Sequence, residues 1–185
     1  MTATTETKRS CPRNRCVGFL ACKDGATAVE FALIAAPFVA LLTGIFQTFL
    51  VFFAGQQLET VANEASRLIL TGQAQDANLS QSAFAQKVCA MVTVLFNCSN
   101  LMIDVESYSS FSGTNTAAPT LTFNAQGQVT NTWQYKPGTA GQIVVVRLMY
   151  QWPVFLGPLG FSLSNLSNGN RLLMASAAFK NEPYQ

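Results

Sequence analysis

From Phe31 to Leu58 the chain carries no charged residue. The run reads F-A-L-I-A-A-P-F-V-A-L-L-T-G-I-F-Q-T-F-L-V-F-F-A-G-Q-Q-L, and Phe31 to Phe53 is dense in Phe, Leu, Ile, Val and Ala. A hydrocarbon core of about 30 Å is crossed by about 20 such residues in a helix. The run is too long for the apolar region of a cleaved secretory signal, and a cut after Gly55 would put Phe53 where a small residue is needed. A retained membrane anchor is the reading that follows. Pro37 removes one backbone hydrogen bond and predicts a kink near one end of the span. Gln47 is the one strongly polar side chain mid-span, and a single amide there is tolerated whether or not it meets another helix.

With the anchor set aside, 185 residues leave room for one modest domain. The net charge of +2 conceals an asymmetry. Residues 1–25 carry Lys8, Arg9, Arg13, Arg15 and Lys23 against Glu6 and Asp24, while the remainder is slightly acidic. A basic N-terminus beside an apolar run predicts a cytoplasmic leader and a domain on the far side of the membrane. Beyond residue 25 there is no basic cluster to neutralise phosphates, so a nucleic-acid partner is not expected. The chain contains no histidine, which removes Ser-His and Cys-His nucleophiles and most metal-hydrolase motifs. No paired carboxylates or phosphate-binding glycine loop appear outside the anchor, so neither catalysis, nor a cofactor, nor a small-molecule substrate is expected.

The five cysteines divide by position. Cys11, Cys16 and Cys22 lie in the leader, and without a fourth ligand their spacing is poor for zinc, so no metal is expected. Cys89 and Cys98 fall beyond the anchor, where a disulfide can persist. In one continuous helix they would sit about 13.5 Å apart, too far to bridge. Either the helix ends near Phe96-Asn97 and the chain folds back, or both remain thiols.

The remaining elements follow from periodicity. Leu58, Val61, Ala62, Ala65, Leu68 and Ile69 continue the helical spacing to a stop at Thr71-Gly72. A helix over 26–71 would span roughly 70 Å, about twice a bilayer, so its outer half must pack on something. After a polar link over 73–79, Ser80 is an N-cap candidate for a second helix with Phe84, Val88, Met91, Val92 and Leu95 on one face. Alternation predicts strands over 101–106, 143–152 and 172–180, the last with alanines that would also suit a helix, and with Arg147 able to pair with Asp104 or Glu106. The connection 107–142 is rich in Ser, Thr, Asn, Gly and Gln, with short edge strands expected at 120–123 and 129–135 and with Trp133 and Tyr135 as a lid on the sheet or, as the lesser alternative, a contact patch. The apolar connection from Pro153 to Phe161 suits contact with the outer leaflet or a partner subunit, or folding back onto the domain. The division expected is a leader at 1–25, an anchor at 26–55 and an α+β domain at 56–185.

Gly25 and Glu30 give the leader–anchor junction a chemical meaning. A cut between Gly25 and Ala26 would create an amine one helical turn from the Glu30 carboxylate, at i and i+4. The two could pair within the chain or between neighbouring subunits. Glu30 in the first turn would also complement the helix dipole. An acid that merely snorkels to the interface is the simpler alternative.

Gly25-Ala-Thr-Ala-Val-Glu30-Phe31 resembles the type IV prepilin processing site, and the A-L-I-A-A-P-F-V-A-L-L-T-G-I-F that follows resembles the anchor of the TadE-like pseudopilins of the tight-adherence, Flp-type IVb pilus. The likeness extends to Val88-Cys89-Ala90 with Phe96-Asn97-Cys98-Ser99, to Val144-Val-Val-Arg147 with Tyr150-Gln-Trp-Pro153, and to Asn170-Arg-Leu-Leu173 with Ala178-Phe-Lys-Asn-Glu-Pro-Tyr184. The resemblance implies a pilin-like fold, a long helix and a second helix packed on a small, mostly antiparallel sheet. It implies a minor pilin subunit in the inner membrane, processed by a prepilin peptidase and partnered by other pilin or pseudopilin subunits and the assembly machinery for surface adhesion. On that view Gly25 and Ala26 flank the processed bond, and Glu30 with Phe31 registers the subunit. An unprocessed, signal-anchored periplasmic binding or scaffold protein would share the anchor without needing Gly25 or Glu30.

Overall fold

A computed structural model of the chain describes residues 26–92, 95–155 and 160–183. The leader, with Gly25 and the three N-terminal cysteines, lies outside the described residues, as does Tyr184. Helix α1 is Ala26–Leu70, α2 is Gln73–Asp76 and α3 is Gln81–Met91. Strands β1 (Leu101–Tyr108), β2 (Ile143–Trp152) and β3 (Arg171–Lys180) form one antiparallel sheet in the order β1-β2-β3. The fold is α+β.

Helix α1 is one continuous element of 45 residues with Pro37 inside it. Its two halves meet different surroundings. Phe31, Leu33, Ile34, Phe38, Leu41 and Phe46 are exposed, whereas Val51, Ala54, Leu58, Val61, Ala62, Ala65 and Ile69 are buried. The buried set recurs at three- and four-residue steps, the stripe one face of a helix presents to a sheet. Three of its members are alanines, so the sheet can approach the helix axis closely. The helix stops where Gly72 adopts φ 79°, and the Gly72 amide bonds the Ile69 carbonyl at 3.1 Å. Only glycine adopts that left-handed conformation without steric cost. In the polar link after it the chain makes one further turn, α2, which buries Ala74.

The inner face of the sheet follows from the register. Val105, Val146 and Ala177 stand opposite one another across the three strands, as do Ile103, Leu148 and Ala175. These residues face α1 and α3, and Phe84 and Val88 of α3 complete the core. Strand β2 is buried from Ile143 to Tyr150 on both faces because the connection 109–142 crosses the other side. That connection does not form the two edge strands expected of it. It makes isolated bridges, Phe123 with Val129 and Tyr135 with Val105. At the second, the Val105 amide bonds the Gln134 carbonyl at 2.9 Å and the Lys136 amide bonds the Val105 carbonyl at 2.8 Å. The free edge of β1 is thereby covered, which removes a template for pairing with other chains.

Ser80 caps α3, its hydroxyl accepting from the Ala83 amide at 3.2 Å. The helix is shorter than its apolar periodicity implies. It ends at Met91 because Val92 turns extended (φ −74°, ψ 132°), and Val92 and Leu95 reach the core from outside the helix. The early stop lets the chain return so that Cys89 and Cys98 are bridged, with Cα atoms 5.6 Å apart.

Candidate functional site

The residues singled out for function cluster at the start of α1. Ala26 opens the helix. Glu30 is its fifth residue, so it stands at the start of the second turn and not in the first, and the dipole argument for it weakens accordingly. The spacing to Ala26 remains i to i+4. Glu30 is exposed, and Phe31 beside it is 74% exposed. From Glu30 up to Leu50 none of the side chains is buried. Among the described residues, the first half of α1 is an apolar rod left largely uncovered by the rest of the chain, while the second half is held by the domain.

What holds it is the inner sheet face described above and, at the far end, the chain terminus. The Glu182 amide donates to the Leu70 carbonyl at 3.1 Å, so β3 ends where α1 ends. Strand β2 therefore runs back toward the exposed half, and its Trp152 end leads into the connection that begins at Pro153. There the Gln47 side-chain amide donates to the Phe155 carbonyl at 2.9 Å. The mid-span amide meets the chain's own loop, a contact that sequence spacing does not reveal.

The outer sheet face carries the charged centre. Arg147 is 5% exposed, and its guanidinium donates from Nε to Asp104 Oδ2 at 2.9 Å and from Nη2 to the same oxygen at 2.5 Å. Nη2 also lies 2.9 Å from Glu106 Oε2, and Nη1 donates to the Asn115 carbonyl at 3.2 Å. Asp104 Oδ1 accepts from the Gln134 amide at 2.8 Å. The Arg147–Asp104 pairing expected from alternation is thus present, Glu106 joins it, and both ends of the long connection are tied to it. Nearby, the Tyr108 hydroxyl donates to the Glu106 carboxylate. That bond, together with burial and the negative charge of Glu106, raises the Tyr108 pKa, with Arg147 opposing.

Tyr135 does not form a lid with Trp133. It packs on Phe84 with ring centroids 5.2 Å apart. Trp133 lines a separate hollow with Met102, Val129 and Gln151. The Tyr135 hydroxyl is buried and has no hydrogen-bond partner among the described residues, and burial raises its pKa. At the other end of the sheet Phe96, Tyr150 and Trp152 form an edge-on aromatic cluster, and the Tyr150 hydroxyl accepts from the Asn97 amide at 3.3 Å. The cluster holds the return of the chain to Cys98.

Among the described residues, no group of three His, Cys, Asp or Glu side chains is placed to hold a metal ion. By length and composition α1 qualifies as a helix able to cross a membrane. No curated protein and no solved structure matches the chain. Residues 25–67 match the family model described as TadE-like protein. The match begins at Gly25, includes Glu30 and Phe31, and covers nearly all of α1 but none of the sheet. The family serves pilus assembly structurally and is not enzymatic. The likeness to the TadE-like family is therefore confined to the apolar helix and the residue before it, about a quarter of the chain.

Proposed function

We propose that the chain is a minor pilin-like subunit, a pseudopilin, of a tight-adherence type IVb pilus. A prepilin peptidase cuts between Gly25 and Ala26. The first half of α1 stores the subunit in the inner membrane, with the domain on the periplasmic side. Glu30 pairs with the new amine of Ala26, its own or a neighbour's, and sets the axial register of subunits as they assemble. The supporting observation is the division of α1. Its domain-held half begins at Val51, and the half that starts at Ala26 offers an uncovered apolar surface able to lie first in lipid and then against other pilin helices.

The charge argument supports the same order of events. A carboxylate carried to the bilayer centre costs roughly 2.5–3.5 kcal/mol, so Glu30 is tolerable near the interface and gains from a partner amine during extraction. Before the cut, the basic leader holds the N-terminus in the cytoplasm. Removing it exposes the amine and releases that hold.

The test is complementation of a strain lacking this chain. The intact chain restores surface fibres and adhesion. Gly25→Leu, which changes no described residue, inserts in the membrane but restores neither. Full restoration by Gly25→Leu would contradict the reading and favour an unprocessed anchor.

A further inference from the structure

The connection between β2 and β3 leaves the sheet at the end that faces the exposed half of α1. Its roots are held inward: Val154 and Leu163 pack against the core. Its phenylalanines are not. Phe155 is 79% exposed and Phe161 45% exposed. Each reaches the apolar run of α1, Phe155 through its carbonyl and Phe161 through its ring. The Phe155 carbonyl accepts from the Gln47 side chain at 2.9 Å. Phe161 Cδ1 lies 3.9 Å from where a Cβ on Gly44 would stand. At 1.5 Å per residue, Gln47 is about 9 Å and Gly44 about 13.5 Å below Phe53 along the helix. Phe161 also forms one wall of an apolar groove of about 590 Å³, floored by Pro37, Ala40, Leu41 and Ile45. No charged residue occurs in the sequence between Arg147 and Arg171.

We propose that Phe155 and Phe161 form a second membrane-contact element, inserting among the lipid acyl chains of the leaflet on the domain's side. The inference rests on α1 being a membrane span. Lipid is the occupant that the geometry favours. Phe161 lines one groove with apolar residues of α1, and Phe155 is joined to the helix through its carbonyl, at a depth where the span meets hydrocarbon. Backbone carbonyls cannot remain unpaired there. Gln47 supplies a donor to one of them, which gives the polar side chain in the span a partner and a purpose. Anchored at two points, the domain is held at a fixed tilt to the bilayer, and extraction of the subunit requires the phenylalanines to leave lipid together with α1.

Site-specific photo-crosslinking of the full chain in its native membrane tests this. The photoreactive residue p-benzoylphenylalanine replaces Phe161 or Phe155, with Phe49 replaced as the reporter of the span and Phe111 as the reporter of the exposed distal end. Mass spectrometry then identifies the adducts. The expected result is phospholipid adducts at Phe161, Phe155 and Phe49 and none at Phe111. Adducts at Phe49 with none at Phe155 and Phe161, or with those two joined only to protein, would overturn the proposal while leaving the span intact. Absence of lipid adducts at Phe49 as well would overturn the span and the proposal together.

Discussion

Arg147 is surrounded by groups that need its charge. Two carboxylates and a backbone carbonyl converge on its guanidinium, and Asp104 is as buried as Arg147 itself. Removing one partner of a buried pair leaves an uncompensated charge, at a cost of about 3–5 kcal/mol. Arg147→Ala is therefore expected to destabilise the domain by that order and to loosen the connection 109–142, measured as a lowered midpoint in denaturant followed by circular dichroism in detergent. Asp104→Asn should cost less, because Glu106 remains beside the guanidinium. Tyr135 offers the opposite case. Its buried hydroxyl has no described partner, so Tyr135→Phe should be neutral or stabilising by about 1 kcal/mol. Its raised pKa means that the fold favours the neutral phenol. That contribution is complete below the unfolded value of 10.0 and declines as pH rises through the higher folded value. Wild-type stability should fall above about pH 10, and in Tyr135→Phe part of that alkaline decline should disappear. An unchanged alkaline limb in the variant would assign the effect to Tyr108 or to other groups.

At the scale of elements, the second half of α1 and the bridge at Cys89–Cys98 both hold the domain together. The bridge closes a short loop, so its loss is expected to cost about 2–4 kcal/mol through the unfolded state. Cys89→Ser should lower the denaturation midpoint, and non-reducing electrophoresis should lose the compact band. Glu30 affects a different link. It lies in the uncovered half of α1, so Glu30→Ala should leave stability and membrane insertion unchanged while impairing assembly, read as loss of surface fibres at normal protein levels. Much of the element structure is legible from spacing alone. The 3–4 spacing of α1, the Ser80 cap, the Gly72 stop and the alternation of β2 each follow from a local rule. The end of α3 is not legible, because Val92 and Leu95 keep the apolar periodicity after the helix has stopped, and only the return toward Cys98 shows why. Nor is the β1-edge bridge at Tyr135, since it depends on a partner strand distant in sequence.

For the whole molecule, composition predicts an anchor and a modest domain, and the fold adds how they are joined. The sheet grips α1 from Val51 onward and leaves about half of the helix for a bilayer or for other subunits. The i to i+4 spacing of Ala26 and Glu30 is legible because it depends only on one helical turn. The contact of Gln47 with Phe155 joins positions 108 residues apart, which no local pattern encodes. The account as a whole rests on the junction before Ala26: a chain that is cut there becomes an assembly subunit, and a chain that is not remains a tethered domain. Mass spectrometry of the N-terminus of the protein purified from its native membrane measures this directly. The account predicts a mature chain beginning at Ala26; a mature chain beginning at Met1 would contradict it.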